Sequence, residues 1–248
     1  MTLRFLSVIL CVSLLSGCAG RKPYGEDIAP ERQVNAIQAR MPGEPQFVVY
    51  DPAEATNKHL YKFNAQLDNY LLLPIVDGYK AVTPEFLRKA IGNFFLNVGE
   101  VPNFTNAVLQ AKPKKAGITV GRFAVNTTIG LLGTFDVATK MGMERQPEDF
   151  GQTLGVWGAG PGPYVVLPVL GPSNVRDATG KAVDLLTLAF LIPNSVEDET
   201  AYKVAVYGLA PINSRYQNNF RYYRSGSPFE YELVRYINTQ ARELQIKK

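Results

Sequence analysis

Between Gly121 and Gly180 lie eleven of the chain's 21 glycines, in 60 of its 248 residues. Glycine loses more backbone freedom on folding than any other residue, so that density requires turns, hinges or backbones that approach closely. The stretch holds Gly130-Leu131-Leu132-Gly133 and the run Gly158-Ala159-Gly160-Pro161-Gly162-Pro163. It reads as short helices linked by glycines.

On both sides of it the helix signals are clean. Asp51-Pro52-Ala53-Glu54 sets an N-cap, a proline at the first helical position and a carboxylate at the third. Ser227-Pro228-Phe229-Glu230 repeats the device, and Thr83-Pro84-Glu85 is a weaker version. Leu60, Phe63, Leu67 and Leu71 then recur at helical spacing. The pattern predicts helices near 52–72, 84–97, 102–110, 113–128, 148–157, 173–191, 197–209, 212–224 and 228–245. Tyr164–Val169 is β-branched and bounded by proline and glycine, a short extended, hairpin-like segment. The fold class is all-α, in a single helical domain over 51–248.

Residues 1–17 read as a lipoprotein signal peptide, with Arg4 ahead of an apolar run from Phe5 to Leu15. That run is shorter than the ~20 apolar residues a bilayer span needs. It ends in Leu15-Ser16-Gly17-Cys18, a bacterial lipobox in which the Cys18 thiolate takes diacylglycerol. Ala19, where an aspartate would signal inner-membrane retention, favours the outer membrane. Cys11 lies in the discarded segment, so the mature chain holds together without a disulfide in an oxidising compartment. Residues 18–50 form a flexible lipidated tether and arm, broken by Pro23, Pro30, Pro42 and Pro45, with Glu31–Arg40 its one short helix. As a coil the tether reaches roughly 30 Å. Without residues 1–17 the formal charge is +3, and no basic stripe is present, which argues against a nucleic-acid partner.

Chemistry is conspicuous by what is missing. His59 is the only histidine and has no cysteine or second histidine with which to share a metal. No Gly-x-Ser-x-Gly elbow occurs. Pro161 and Pro163 offer no N–H to a phosphate, and Gly180-Lys181 is wrongly spaced for a Walker motif. Glu197-Asp198-Glu199 suits the start of a helix, where acids favour the positive end of the dipole. The chain is expected to be no enzyme and to need no cofactor. One polar constellation stands out. Asp177, Lys181 and Asp184 fall at i, i+4 and i+7 beside Arg176, ahead of an apolar run through Val183, Leu185, Leu186 and Leu188 to Leu191. It reads either as a solvated salt-bridge ladder or as a face for a ligand.

No segment after Cys18 is long and apolar enough for a transmembrane helix, and alternating barrel strands are absent. Aromatics are nonetheless plentiful: Phe86, Phe94, Phe95, Phe104, Phe123, Phe135 and Trp157. Singly each suits a soluble core. Together, on short amphipathic helices, they suit a disc whose rim faces lipid tails.

The residues themselves point to a family. Arg122-Phe123, Asn126-Thr127, Gly130, Phe135-Asp136-Val137-Ala138, Asp149-Phe150-Gly151, Thr153-Leu154-Gly155, Gly162-Pro163-Tyr164, Leu167-Pro168, Gly171, Arg176-Asp177 and Gly180 follow in one order. These blocks resemble the VacJ/MlaA lipoproteins of the Gram-negative outer membrane, from Asp51-Pro52 onward and thinning after about Ile192. The resemblance implies a compact helical ring with a central amphipathic channel, lipid-anchored in the periplasmic leaflet of the outer membrane. It implies a passive phospholipid channel that clears misplaced phospholipid from the outer leaflet, beside a trimeric porin, and hands it to a periplasmic carrier. Arg176, Asp177 and Asp184 would face that channel as head-group residues, with Lys181 standing where an acidic residue is expected. Gly130 and Gly133 would hinge the channel-side loop, and Phe63 and Asn64 would set how open it rests. Two rival classes stay open, a structural porin- or cell-wall-associated lipoprotein without transport and a phospholipid-cleaving enzyme.

Overall fold

The computed structural model describes residues 49–248 apart from 193 and 198. The expected signal peptide, lipidated Cys18, and tether as far as residue 48 lie outside the described residues. The chain is predominantly helical. Helix α1 (Glu54–Leu67) passes through a π turn at Asp68–Leu72 into α2 (Leu73–Val82). Then come α3 (Glu85–Val98), α4 (Glu100–Leu109), α5 (Pro113–Thr128), α6 (Val137–Lys140) and α7 (Phe150–Val156). A hairpin of β1 (Tyr164–Leu167) and β2 (Gly171–Asn174) leads into α8 (Val175–Leu191). The chain finishes with α9 (Asn194–Glu197), α10 (Thr200–Val204), a second π turn at Ala205–Leu209, α11 (Ala210–Gln217) and α12 (Glu230–Lys247).

Local chemistry differs from the sequence expectation at several places. Asp51 is not an N-cap, because α1 starts at Glu54 behind Ala53. Its carboxylate instead accepts from Asn57 Nδ2 at 2.7 Å, from the Tyr231 hydroxyl and from Arg235 Nη1 at 2.8 Å. Helix α2 continues past residue 72: the π turn carries the chain into it, the Leu73 N–H bonding the Asp68 carbonyl, with Pro74 just inside its start. Residues 173–174, expected to open the helix near 173–191, close strand β2 instead; β1 and β2 pair antiparallel from Tyr164 with Asn174 to Leu167 with Gly171. The helix expected to reach residue 224 stops at Gln217. There Arg215 donates to the carbonyls of Asn218 and Phe220, drawing the chain out of helical register.

The burial pattern is the reverse of an ordinary soluble domain. Among the described residues, 21 polar or charged residues are buried against ten apolar ones, while Phe190, Val82 and Phe86 are 93%, 82% and 73% exposed. Helices α4 and α5 show how this arises. Helix α4 turns Glu100, Asn103, Asn106 and Ala107 inward, with Gln110 buried just past its end, and α5 turns in Ala116, Thr119, Arg122 and Asn126. Their apolar faces, including Phe104, Val108, Val120 and Phe123, point out. Burying so many polar groups is tolerable only because they bond to one another. Arg122 donates to Glu100 at 2.9 Å and Thr139 at 2.9 Å, and also reaches the Met143 carbonyl and Asp136. Among the described residues a buried apolar cluster joins Tyr61, Tyr164, Val166 and Tyr231, ringed by Tyr222 and Tyr223.

Glycines set the closest approach in the fold. A Cβ on Gly180 of α8 would lie 2.2 Å from the Gly151 nitrogen of α7, so these two helices touch backbone to backbone.

Candidate functional site

The junction of α7, α8 and α12 gathers most of the polar residues singled out in the sequence. Asn174 caps α8, its side chain accepting from the Asp177 N–H at 2.8 Å. Asp149 caps α7 in the same way through Gln152 N–H at 2.9 Å. Both carboxylates at this junction are held by Arg242 of α12. Its Nη1 and Nη2 donate to the two Asp149 oxygens at 2.7 Å each, and its Nε donates to Asp177 at 2.8 Å. Asp177 also accepts from Arg176 Nε at 3.0 Å and Asn174 Nδ2 at 2.7 Å. Arg176 completes the network through Glu243 at 3.2 Å and the Ala159 carbonyl at 3.3 Å. Burial alone would raise the pKa of Asp149 and of Asp177. The Arg242 hydrogen bonds and charge overcome it and hold both below the usual carboxylate range.

Asp184 is held differently. It accepts from Asn106 Nδ2 at 2.8 Å and from the Phe150 N–H at 2.9 Å, with no cation bonded to it. Burial outweighs those bonds and pushes its pKa up. Thr153 donates to Asn106 at 2.8 Å and accepts from Gln110 at 3.1 Å, so a continuous hydrogen-bond track leads inward from Asp184.

The expected common face of Asp177, Lys181 and Asp184 divides in two. Asp177 and Gly180 are buried with Arg176, and Asp184 turns toward Asn106. Lys181 is exposed and enters none of the ion pairs among the described residues. The Asp177–Lys181–Asp184 ladder is therefore not formed. Desolvation by the surrounding protein, with the Arg242 charge second, lowers the Lys181 pKa. Beyond Lys181 the last turns of α8 carry Leu185, Leu186, Phe190 and Leu191, all exposed and spread around the helix.

Asn64 sits on α1 against the hairpin. Its Nδ2 donates to the Leu167 carbonyl at 2.9 Å, and its Oδ1 accepts from the Val169 N–H at 2.8 Å. One turn-pair earlier, Asn57 does the same for the Tyr164 carbonyl at 3.0 Å and the Val166 N–H at 2.9 Å. Phe63, next to Asn64, is half exposed. The hairpin tip carries Val169 at φ 67°, in the left-handed region.

The turn from Gly130 to Gly133 is tied at both ends. Gly133 N–H donates to the Asn126 carbonyl at 2.7 Å, and Phe135 N–H to the Gly130 carbonyl at 2.9 Å. A Cβ on Gly130 would lie 2.3 Å from the Phe135 carbonyl oxygen, and one on Gly133 2.4 Å from Asn97 Cβ. Gly133 also has φ +88°. Between them Leu131 (φ 51°) and Leu132 (φ 57°) are held in left-handed backbone, and both side chains are exposed.

Arg242, Asn57 and Asn106 escaped the sequence reading, and Asp149 entered it only within the block Asp149-Phe150-Gly151. Only Asn57 had a local signal, its seven-residue offset from Asn64 on one helix. Arg242 meets residues 65 and 93 positions away, which no local pattern encodes. His59 lies exposed on α1, its ring Nδ1 at 2.7 Å from the Ala55 carbonyl. Among the described residues no group of three or more His, Cys, Asp or Glu could hold a metal ion, and no helix is long and apolar enough to cross a membrane.

Residues 49–245 match the family model described as MlaA lipoprotein. An uncharacterized protein of Rickettsia bellii is 35% identical over 80% of this chain and 78% of its own length. The Haemophilus influenzae protein named "Intermembrane phospholipid transport system lipoprotein MlaA" is 30% identical over 68% of this chain and 67% of its own. A solved structure reported as "Structural basis for maintenance of bacterial outer membrane lipid asymmetry" superposes with a TM-score of 0.64 at 30% identity, covering 80% of this chain and all of the other. With a family match across nearly all its described residues, the chain belongs to the MlaA lipoprotein family.

Proposed function

We propose that this chain is a lipid-anchored outer-membrane protein that conducts phospholipid passively out of the outer leaflet and hands it to a soluble periplasmic carrier, beside a trimeric porin. The observation that carries the reading is the inverted burial, with polar groups bonded inside and large apolar side chains outside. A phospholipid has of order thirty CH₂ groups, so exposing its tails to water would cost ~24 kcal/mol at ~0.8 kcal/mol each. A ring with an apolar outer surface seated among lipid tails, and polar groups within, keeps the tails in an apolar setting and gives the head a polar route. The kinship with phospholipid-transport lipoproteins supports the same reading. The family is not one of enzymes, and the absence of a nucleotide motif leaves the chain to act without its own energy source.

In this reading the junction of α7, α8 and α12 forms the polar wall, with Arg176 and Asp177 shaping it and Asp184 and Lys181 nearer the moving lipid. Phe63 and Asn64 set how far the hairpin stands from α1, and the Gly130–Gly133 turn borders the opening. Cys18 carries the anchor. Surface-exposed phospholipid in cells lacking the gene tests this. Accumulation that the intact chain corrects is the expected result, and an unchanged outer leaflet would point instead to a porin scaffold without transport.

A further inference from the structure

Four residues line one face of α1 and the π turn that follows it. Asn57, Tyr61, Asn64 and Asp68 fall at i, i+4, i+7 and i+11, and none is more than 3% exposed. Asn57 and Asn64 hold the hairpin. Tyr61 and Asp68 hold the other end of the chain. The Tyr61 hydroxyl donates to Glu230 at 2.8 Å, and Glu230 also accepts from the Ser225 N–H at 2.9 Å and the Ser225 hydroxyl at 2.7 Å. Asp68 accepts from Arg215 Nη2 at 2.7 Å and from its Nε, while the same guanidinium holds the Asn218 and Phe220 carbonyls. The loop between α11 and α12 is thus bound at both ends to the face that carries the hairpin.

Tyr222 stands midway along that loop. Its ring meets Tyr61 edge-on at 4.9 Å and Phe220 at 4.9 Å, so packing on two sides fixes where its hydroxyl points. The oxygen reaches the hairpin. A Cβ on Gly171, the first residue of β2, would lie 3.3 Å from it. The Asn64 amide meets the same oxygen. An asparagine Nδ2 carries two N–H groups, and Leu167 takes only one of them, which leaves the second for Tyr222. Burial, and the Asp68 charge after it, push the Tyr222 phenol up to about 12, and the Asn64 bond opposes them. The terminal torsion of an asparagine is broad, so a third partner narrows the amide to the one plane that serves Leu167 and Val169 together.

We infer that Tyr222 is a positioning residue for the hairpin: its hydroxyl holds the Asn64 amide and seats against Gly171, so that the loop before α12 fixes how far the hairpin tip stands from α1. The inference rests on the reading that this distance sets the opening. It adds a residue from the stretch after Ile192, where the family resemblance thins.

The test uses the full lipidated chain, with amide hydrogen exchange followed in detergent micelles and phospholipid transfer followed from reconstituted vesicles. Tyr222→Phe keeps the ring and removes only the oxygen. Exchange at Val169 is expected to quicken about fivefold, the factor that ~1 kcal/mol for one hydrogen bond gives, while Val166 keeps its wild-type rate. On an Asn64→Ala background the same substitution is expected to add nothing, because the hydroxyl acts through the amide. An unchanged rate at Val169 overturns the inference. So does equal quickening at Val166 and Val169, which marks a general loss of stability, or a Tyr222→Phe effect that persists in full without the Asn64 amide. Transfer is expected to change along with Val169. If Val169 quickens as expected and transfer stays at the wild-type rate, the positioning stands and the reading of the hairpin as the gate fails.

Discussion

Asn57 and Asn64 grip one strand from one helix. Seven residues apart on α1, they each close a two-bond ring with the backbone of the hairpin, Asn57 across Tyr164 and Val166, Asn64 across Leu167 and Val169. A strand edge offers alternate N–H and C=O groups, and an amide side chain carries a separate donor and acceptor that meet both at once. The helix thereby completes an edge that a third strand would otherwise cover.

Removing either amide has a local consequence. Asn64→Ala leaves the Val169 N–H without its acceptor and takes one donor from the Leu167 carbonyl, a loss of about 1–3 kcal/mol. Amide exchange at Val169 is expected to quicken while exchange at Val166 stays slow, and Asn57→Ala is expected to reverse that order. The hairpin tip would loosen first in the Asn64 variant, so lipid should leak more in cells carrying it than in those carrying Asn57→Ala. Equal exchange at Val169 in wild type and variant would dismiss the clamp.

The turn at Gly130–Gly133 calls for a different substitution from the obvious one. Alanine at Gly130 drives a methyl to 2.3 Å from the Phe135 carbonyl oxygen, and at Gly133 it adds a positive φ to a clash with Asn97. Both variants are expected to lose ~2 kcal/mol or more of stability whether or not the turn moves. Freedom is better tested at the leucines between them. Leu131 and Leu132 occupy left-handed backbone at a cost of roughly 1–2 kcal/mol each. Leu131→Gly with Leu132→Gly removes that cost without a new contact. A hinge should respond with faster lipid transfer in reconstituted vesicles, and an unaltered rate would leave the turn a fixed corner.

How much of this was legible beforehand follows from the range of the interactions. Helix α5 (Pro113–Thr128) ran from its proline to its end as read, because Pro113 and the apolar period are local signals. Tyr164–Leu167 was legible as extended for the same reason. Its partner was not, since Gly171-Pro172-Ser173-Asn174 has no strand composition and becomes a strand only by pairing with β1. Asp51 looked like a cap because the motif is local, yet Arg235 and Tyr231 claim its carboxylate from the far end of the chain. Arg176, Asp177 and Asp184 were rightly gathered on one helix. That Lys181 stands apart depends on Arg242 and Asn106, which the helical wheel of α8 does not contain.

Arg242 should matter more than its place near the C-terminus suggests. Arg242→Gln strips two bonds from Asp149 and one from Asp177, and we expect a loss of about 3 kcal/mol, the lower end for breaking a buried ion pair. The pH dependence carries the signature. Asp149 and Asp177 have folded pKa values depressed below their unfolded ones, so their stabilisation is present above the unfolded carboxylate range, near pH 4. It is lost as pH falls through the folded values. Asp184 has the opposite sign: its raised pKa makes the native state bind the proton more readily, which favours folding as pH falls. Chemical denaturation from pH 6 downward should therefore show a steeper acid loss in the wild-type protein than in Arg242→Gln. Parallel curves would mean that Arg242 does not set those carboxylates.

The polar interior makes its own demand on Arg122. Its guanidinium spends all three nitrogens on protein acceptors, and Glu100, 1% exposed, takes one bond from it at 2.9 Å and another from Asn103 at 2.9 Å. Arg145 stands 3.7 Å away, too far to replace it by hydrogen bonding. Arg122→Met keeps the volume but leaves the Glu100 carboxylate buried without its partner, which costs ~3–5 kcal/mol. Adding Glu100→Gln removes the stranded charge and is expected to restore at least half of that loss, because a buried ion pair contributes less than its parts suggest. Measured in detergent micelles, the double variant should unfold at a higher denaturant concentration than Arg122→Met alone. If both unfold together, the α4–α5 pair is held by its small residues, Ala107, Ala116 and Thr119, and the buried charges are incidental to it.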